Sequence, residues 1–294
     1  MLGFNFKKII KIFPSFILGF GLCIQTEAAV FIGAHPDDVE LFMGRSASVD
    51  VYTNNPTVFI VITAGDDGNM ASVGPNSKGV PFYRARLRGH EAAVRFWKGL
   101  NGLPVPATNY STELFGAKNI EKATFGNIVL YNLNLPDGGA VGLTELLNGS
   151  VSRLADVQGI NSFSSSELKQ TLRLLISRNN VSVSSVWVNI PQPNTTINPD
   201  DHRDHYATGG FVVQAIAAAP YNCINKAFYE GYTIASKPEN LSLPDRNVHV
   251  GTWGILNHAM MENGNANNWD PTHNGWLGRM YSSVQYGVGA CNFT

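Results

Sequence analysis

The sequence predicts an α/β fold of the Rossmann-like kind, a mostly parallel sheet with helices on both faces. Two observations lead there. Short apolar runs alternate with longer stretches of helical period, and that alternation builds a parallel sheet with crossover helices. Two of the runs are followed by clusters of histidine and carboxylate, and open α/β sheets hold their ligands at the C-terminal edges of their strands.

The chain opens on a segment that reads as a removable secretory leader, residues 1–28. Lys7, Lys8 and Lys11 form a basic start, Ile12 to Ile24 is apolar, and Thr26-Glu27-Ala28-Ala29 offers small residues with cleavage after Ala28. The apolar run, about 13 residues, is short for a membrane span. No other segment is long and apolar enough, so no stable span is expected after cleavage. The protein is expected to be secreted or periplasmic; the alternative is a membrane tether formed by an uncleaved leader. The remaining chain divides into a main domain, 29–235, and a C-terminal extension of it, 236–294.

Ala29 to Gly33 reads as the first buried strand, and Leu41-Phe42-Met43 opens a helix after it. Thr57 to Thr63, rich in β-branched residues, is the second strand. It ends in the acidic stretch Gly65-Asp66-Asp67-Gly68, and Gly74-Pro75 and Gly79 break the loop that follows. Phe82 to Lys98 is helical by period, with Tyr83, Leu87, Ala93, Val94 and Trp97 on one face. Residues 101–119 read as irregular because Gly, Pro and Asn crowd them. Asn127 to Leu133 is a third strand running into the turn Leu135-Pro136-Asp137-Gly138-Gly139. Ser166 to Arg178 is an amphipathic helix capped by Ser164 or Ser165. Ser184 to Ile190 is a fourth strand, Tyr206 to Ala219 an apolar helix stopped by Pro220, and Ala227 to Tyr232 a fifth strand. Gly251 to Met261 suits one more helix, and the last thirty residues follow no pattern.

Composition narrows the partners. Lys and Arg number 21 against 22 Asp and Glu, a net charge of −1 with no basic patch, which argues against nucleic acid. Charged residues are only 15% while Asn and Ser are plentiful, a surface suited to export and to small-molecule or glycan ligands. Cys23 leaves with the leader. Cys223 and Cys291 remain, to pair in an oxidising compartment or to stay as buried thiols. Nothing in the sequence sets the oligomeric state.

His35-Pro36-Asp37-Asp38 follows the first strand, and Asp201-His202-Arg203-Asp204-His205 follows the fourth. His35, Asp38 and His205 can hold one Zn2+ per chain, or another divalent ion, and leave positions open for water and a substrate carbonyl. Asp37, next to a ligand, is placed to take the water's proton. His202, three residues from His205 and on its face, would stabilise the oxyanion if protonated. Asp204 is placed to orient an imidazole from behind the ligands. Asp66, Asp67 and Arg86 are candidate substrate contacts.

These motifs resemble those of the zinc-dependent N-acetylglucosaminyl-phosphatidylinositol de-N-acetylase (PIG-L, LmbE-like) family. Thr63-Ala64-Gly65-Asp66, the helix from Tyr83 to Ala93 with Arg86 and Gly89, and Leu135-Pro136-Asp137-Gly138 are similar to further segments of it. The resemblance covers roughly residues 29–232 and departs at Gly89-His90-Glu91, where relatives often carry the acidic residue nearer the arginine. It implies a Rossmann-like fold, a single zinc held by His35, Asp38 and His205, Asp37 as general base, and His202 on the oxyanion side. It implies hydrolysis of the acetyl group from N-acetylated glucosamine derivatives or related amides. Two rival expectations use the same residues: a hydrolase of another amide, and an exported carbohydrate-binding protein with a non-catalytic metal site.

Overall fold

The structure, a computed structural model, describes residues 27–66, 78–180, 185–291 and 293. The leader up to residue 26, Cys23 within it, Asp67 and the Gly74-Pro75 breakers lie outside the described residues.

Strand β1 (Glu27–Gly33) leads through a single π-helical turn, Val39–Met43, into α1 (Gly44–Tyr52). β2 (Thr57–Thr63) is buried at all seven positions, as a continuous run of Val, Ile and Phe requires. α2 (Phe82–Gly99) turns Tyr83, Leu87, Ala93, Val94 and Trp97 inward. β3 (Asn109–Phe115) and β4 (Lys118–Phe125) then form a hairpin around Gly116, whose φ is +61°. This corrects the expectation of irregular chain over 101–119. Four of the seven positions of β3 in a row face solvent, so the edge strand carries no apolar run to announce it.

β5 (Ile128–Leu135) is followed by α3 (Leu143–Asn148) and by β6 (Leu154–Ala155) paired with β7 (Ser162–Phe163). α4 (Ser165–Arg178) is capped by Ser164. Its Oγ accepts from Glu167 N at 3.3 Å while Glu167 accepts from Ser164 N at 2.7 Å. β8 (Ser185–Pro191) leads to α5 (Arg203–Ala215), which ends four residues short of the expected Ala219. Residues before a proline avoid helical geometry, and Pro220 moves the boundary back. β9 (Asn225–Tyr229) precedes α6 (Leu243–Glu262), which starts eight residues before the expected Gly251 because Ser242 caps it and Pro244 sits in its first turn. α7 (Pro271–Asn274) and the edge strand β10 (Ser282–Gln285) complete the chain.

The eight strands run in the order β10-β9-β8-β1-β2-β5-β4-β3. The five from β9 to β5 are parallel, and β10, β4 and β3 are antiparallel additions at the two edges. Alternation along the strands separates two cores. Val30, Ile32, Val58 and Ile60 pack against Leu172, Ile176 and Phe211 of α4 and α5. Phe31 and Phe59, their rings 5.5 Å apart, face Val94, Trp97, Trp253 and Leu256 of α2 and α6. Trp97 Nε1 donates to Thr252 Oγ1 at 2.7 Å and ties those two helices together. Cys223 and Cys291 form a disulfide, Cα to Cα 5.2 Å, closing a separation of 68 residues. Among the described residues no helix is long and apolar enough to cross a membrane.

His249 of α6 is buried among these side chains and accepts from Gly278 N at 3.2 Å. Burial lowers its pKa to about 4, against about 6.5 in an unfolded chain. The fold therefore holds it neutral. Its contribution is complete above about pH 6.5 and is lost as pH falls towards 4, because the unfolded chain then binds the extra proton. The full loss is about 3 kcal/mol. His249→Gln, which keeps an acceptor for Gly278, is expected to flatten the fall of unfolding free energy between pH 6.5 and 4 in urea titrations. Equal slopes for the two proteins would remove His249 as the titrating group.

Candidate metal centre

The chain builds β1, β2 and β5 outward on one side of the sheet and then returns to lay β8 and β9 on the other side of β1. The strand order reverses between β1 and β8, the place where open α/β sheets leave a crevice. Both histidine clusters emerge there.

After β1 the chain turns sharply. Asp38 Oδ2 closes the turn by accepting from Ala34 N at 2.7 Å and His35 N at 2.9 Å. Thr63, at the end of β2, pins it by donating its hydroxyl to Ala34 O at 2.7 Å. These bonds leave Asp38 Oδ1 facing inward, 3.2 Å from His35 Nδ1. From the other side of the crevice, His205 in the first turn of α5 brings Nε2 to 3.0 Å from Asp38 Oδ1 and 3.2 Å from His35 Nδ1. His205 Nδ1 faces Asp201 Oδ1 at 2.8 Å. Asp201 in turn accepts from Asn198 Nδ2 at 2.6 Å and Tyr232 N at 3.0 Å. His35 Nε2 faces Asp137 Oδ1 at 3.1 Å.

The result is a triangle of donor atoms, His35 Nδ1, Asp38 Oδ1 and His205 Nε2, with edges of 3.0–3.2 Å. A tetrahedral ion with arms of about 2.0–2.1 Å needs donors about 3.3 Å apart, so the residues fit a zinc-sized cation. Each imidazole has a carboxylate at its other nitrogen, the arrangement that fixes the tautomer of a metal-binding histidine. The electrostatics agree. Burial disfavours a charge on His205, but Asp38 and Asp201 outweigh it and raise its pKa to about 10. His35 is likewise held well above the usual histidine range, against burial, by Asp137 and Asp38. Two protonated rings would point N–H groups at each other across 3.2 Å; a divalent cation held by the same two nitrogens would replace both protons and balance the carboxylates.

Asp37 stands outside the triangle. Its Oδ1 accepts from Arg86 Nη2 at 2.5 Å, and its Oδ2 has no hydrogen-bond partner among the described residues. Arg86, from α2, also donates Nη1 to Gly65 O at 2.7 Å. Gly65 has φ +64°, and a Cβ there would lie 2.5 Å from Arg86 Nη1, so only glycine lets the guanidinium through. His202 caps α5, its Nδ1 accepting from Asp204 N at 3.3 Å. That bond leaves the proton on Nε2. Burial, then the charges of His35 and His205, lower the His202 pKa to about 4. The protonated His202 that the sequence suggests for the oxyanion is therefore corrected to a neutral one, an N–H donor.

The remaining candidates take other places. Asp204 is fully buried, with Oδ2 accepting from Gly138 N at 2.8 Å and lying 3.9 Å from His35 Nε2. Asp66 accepts from Asp137 N at 2.7 Å and supports that turn, without lining the cavity. Asp137 and Asp201 face the imidazoles directly and are not among the site residues the sequence suggests, although both lie beside its motifs.

A cavity of about 330 Å³ opens over the triangle. His35, Asp37, Asp38, Arg86, Asp137 and His202 line it, together with Phe42, Phe82, Tyr232, Asn268, His273 and Trp276. A larger cavity, about 640 Å³, lies between α2 and β3–β5, but no residue of the triangle borders it. Among the described residues, one ligand atom each from His35, His202 and His205 also lies within 4.8 Å of the other two, as do those of His35, Asp137, His202 and Asp204. The tighter triangle is the better cage, because the Nδ1 of His202 is already engaged.

A family model, PIG-L, described as GlcNAc-PI de-N-acetylase, matches residues 30–216. No curated protein sequence matches the chain. Similar solved structures include N,N'-diacetylchitobiose deacetylase from Pyrococcus horikoshii, 15% identical over 90% of this chain and 82% of that one, with a TM-score of 0.47. A triple mutant of the deacetylase Orf2 of the teicoplanin biosynthetic pathway is 11% identical over 92% and 100%, TM-score 0.48. GalB, the 4-carboxy-2-hydroxymuconate hydratase of Pseudomonas putida KT2440, is 9% identical over 85% and 82%, TM-score 0.44.

Proposed function

The chain belongs to the PIG-L, GlcNAc-PI de-N-acetylase, family, and from that premise we propose an exported, zinc-dependent hydrolase that removes acetyl from an N-acetylated amino sugar. The observation that carries the reading is the donor triangle with the free Asp37 Oδ2 beside it. His35, Asp38 and His205 would hold the ion, which when bound polarises the amide carbonyl and acidifies water. Asp37 Oδ2 takes the proton of the attacking water while Arg86 holds the other oxygen still. Water oxygen bonds to the carbonyl carbon, and the neutral His202 donates its Nε2–H to the oxygen that gains charge. The C–N bond then breaks, and the proton on Asp37 passes to the leaving nitrogen, giving acetate and a free amine. Export is supported by the leader pattern and by the Cys223–Cys291 disulfide.

The test is metal content together with acetate release over a panel of N-acetylglucosamine derivatives. About one zinc per chain with turnover is the expected result; metal with no acetate from any of them overturns the substrate class. The carboxylate behind His205 gives a second check. A Cβ at Gly231 would lie 2.4 Å from Asp201 Oδ1. Asp201→Asn and Gly231→Ala are both expected to weaken metal affinity about 10- to 100-fold, read by competition with a chelator. Unchanged affinity in both would show that Asp201 does not tune the site.

A further inference from the structure

Four residues that line the cavity over the metal triangle, Tyr232, Asn268, His273 and Trp276, come from chain beyond the family-matched span, which ends at residue 216. Asn268 and His273 are the polar side chains among them besides the Tyr232 hydroxyl. His273 is immobilised on three sides. Its Nδ1 lies 2.6 Å from Asp270 Oδ2, its face stacks on Trp253 at 5.4 Å and 15°, and Trp276 meets it edge-on at 5.2 Å. Asp270 engages Nδ1, and Nε2 has no partner among the described residues. Asn268 is fixed through its backbone, its N donating to Asn257 Oδ1 of α6 at 2.6 Å and its O accepting from Asp270 N at 3.0 Å. Its carboxamide has no partner among the described residues. Trp276 stacks on Tyr232 at 4.6 Å, and Tyr232 meets the ring of His205 at 5.3 Å. Two rings therefore separate His273 from the metal triangle.

A wall held this rigidly, with aromatic rings and two side chains that keep an unengaged polar end, is built to orient a ligand. The chemistry of the wall selects the ligand. Among the described lining residues the one arginine or lysine is Arg86, whose Nη1 and Nη2 are already bonded to Gly65 and Asp37, so neither end of the guanidinium fork is left over to grip a phosphate. A purely acyl ligand would leave Asn268 and His273 unpaired. We propose that Asn268 and His273 are the specificity-determining contacts for a neutral N-acetylated saccharide, hydrogen-bonding its hydroxyls while the acetamide faces the triangle, with Asp270 as positioning residue for His273. This rests on the deacetylase reading of the same site.

The experiment uses full-length, metal-loaded protein and N,N'-diacetylchitobiose as probe, with N-acetylglucosamine 1-phosphate as the charged comparison. His273→Phe keeps the ring stack and removes Nε2; Asn268→Ala tests the second contact should the first fail to fold. Each variant is expected to raise the calorimetric Kd and the KM for the chitobiose about fivefold to tenfold, with kcat within twofold and metal content unchanged, and the phosphate ester is expected to bind no better than the neutral sugar. Chitobiose that does not bind the wild type, variants that bind it as well as the wild type, or tighter binding of the phosphate ester each overturn the proposal. The two readings separate cleanly. Sugar binding that depends on His273, without acetate release, keeps this proposal and removes the deacetylase reading. Acetate release with the same KM in wild type and variants does the reverse.

Discussion

Asp37→Asn is expected to retain its metal and lose between about 10²- and 10⁴-fold in kcat, the usual range for removal of a general base. Asparagine matches aspartate in shape, and its carbonyl oxygen can keep the bond to Arg86 Nη2 that Asp37 Oδ1 makes at 2.5 Å. The donor triangle lies on other side chains, so metal content should match the wild type. What disappears is the one carboxylate oxygen of Asp37 that faces the cavity unpaired. The variant also leaves Arg86 without its nearest anion, with Asp137 Oδ2 4.0 Å away as the remaining partner. The measurement is kcat against zinc content on the same preparation. Full activity at full occupancy would assign the proton to another group, and loss of metal along with activity would move Asp37 into the ligand set.

His205→Ala is expected to lose the metal itself, with affinity falling by more than the roughly 100-fold upper range seen for outer-sphere changes. His205 Nε2 supplies one corner of the triangle and closes it across the crevice between β1 and β8. Its removal also leaves Asp38 and Asp201 facing a void without the imidazole between them. Each carboxylate loses a buried partner, so the metal-free variant should unfold more readily as well. Dialysis against a chelator followed by metal analysis reads the first effect, and thermal unfolding of metal-free protein reads the second. Metal retained at wild-type affinity would shift the centre to the neighbouring cluster of His35, Asp137, His202 and Asp204.

The residues that carry the chemistry were legible because they sit where strands end. His35 and Asp38 directly follow a run too apolar to be anything but a buried strand, and His202 and His205 open a helix after another. The capping Ser164 was legible for a local reason, a hydroxyl three residues before Glu167. Other features depend on contacts that no local pattern records. β3 pairs along a solvent-facing edge and reads as loop. Choosing among the carboxylates near His205 needed the helix geometry: Asp201, four residues back, reaches Nδ1, whereas the adjacent Asp204 turns to Gly138. Asn268, His273 and Trp276 approach the triangle only because α6 packs across α2 and returns the chain to the mouth of the cavity.

The disulfide gives that returning chain a definite status. Cys223 and Cys291 join just before β9 and just after β10, so everything between them forms a closed loop anchored at both ends to the same edge of the sheet. Within the loop lie Tyr232, Asn268, His273 and Trp276 of the cavity lining; outside it lie the donor triangle of His35, Asp38 and His205, and Asp37 beside it. Closing a loop of this length restricts the unfolded chain, so the segment that carries Tyr232, Asn268, His273 and Trp276 is held to the sheet by a covalent tie as well as by its packing.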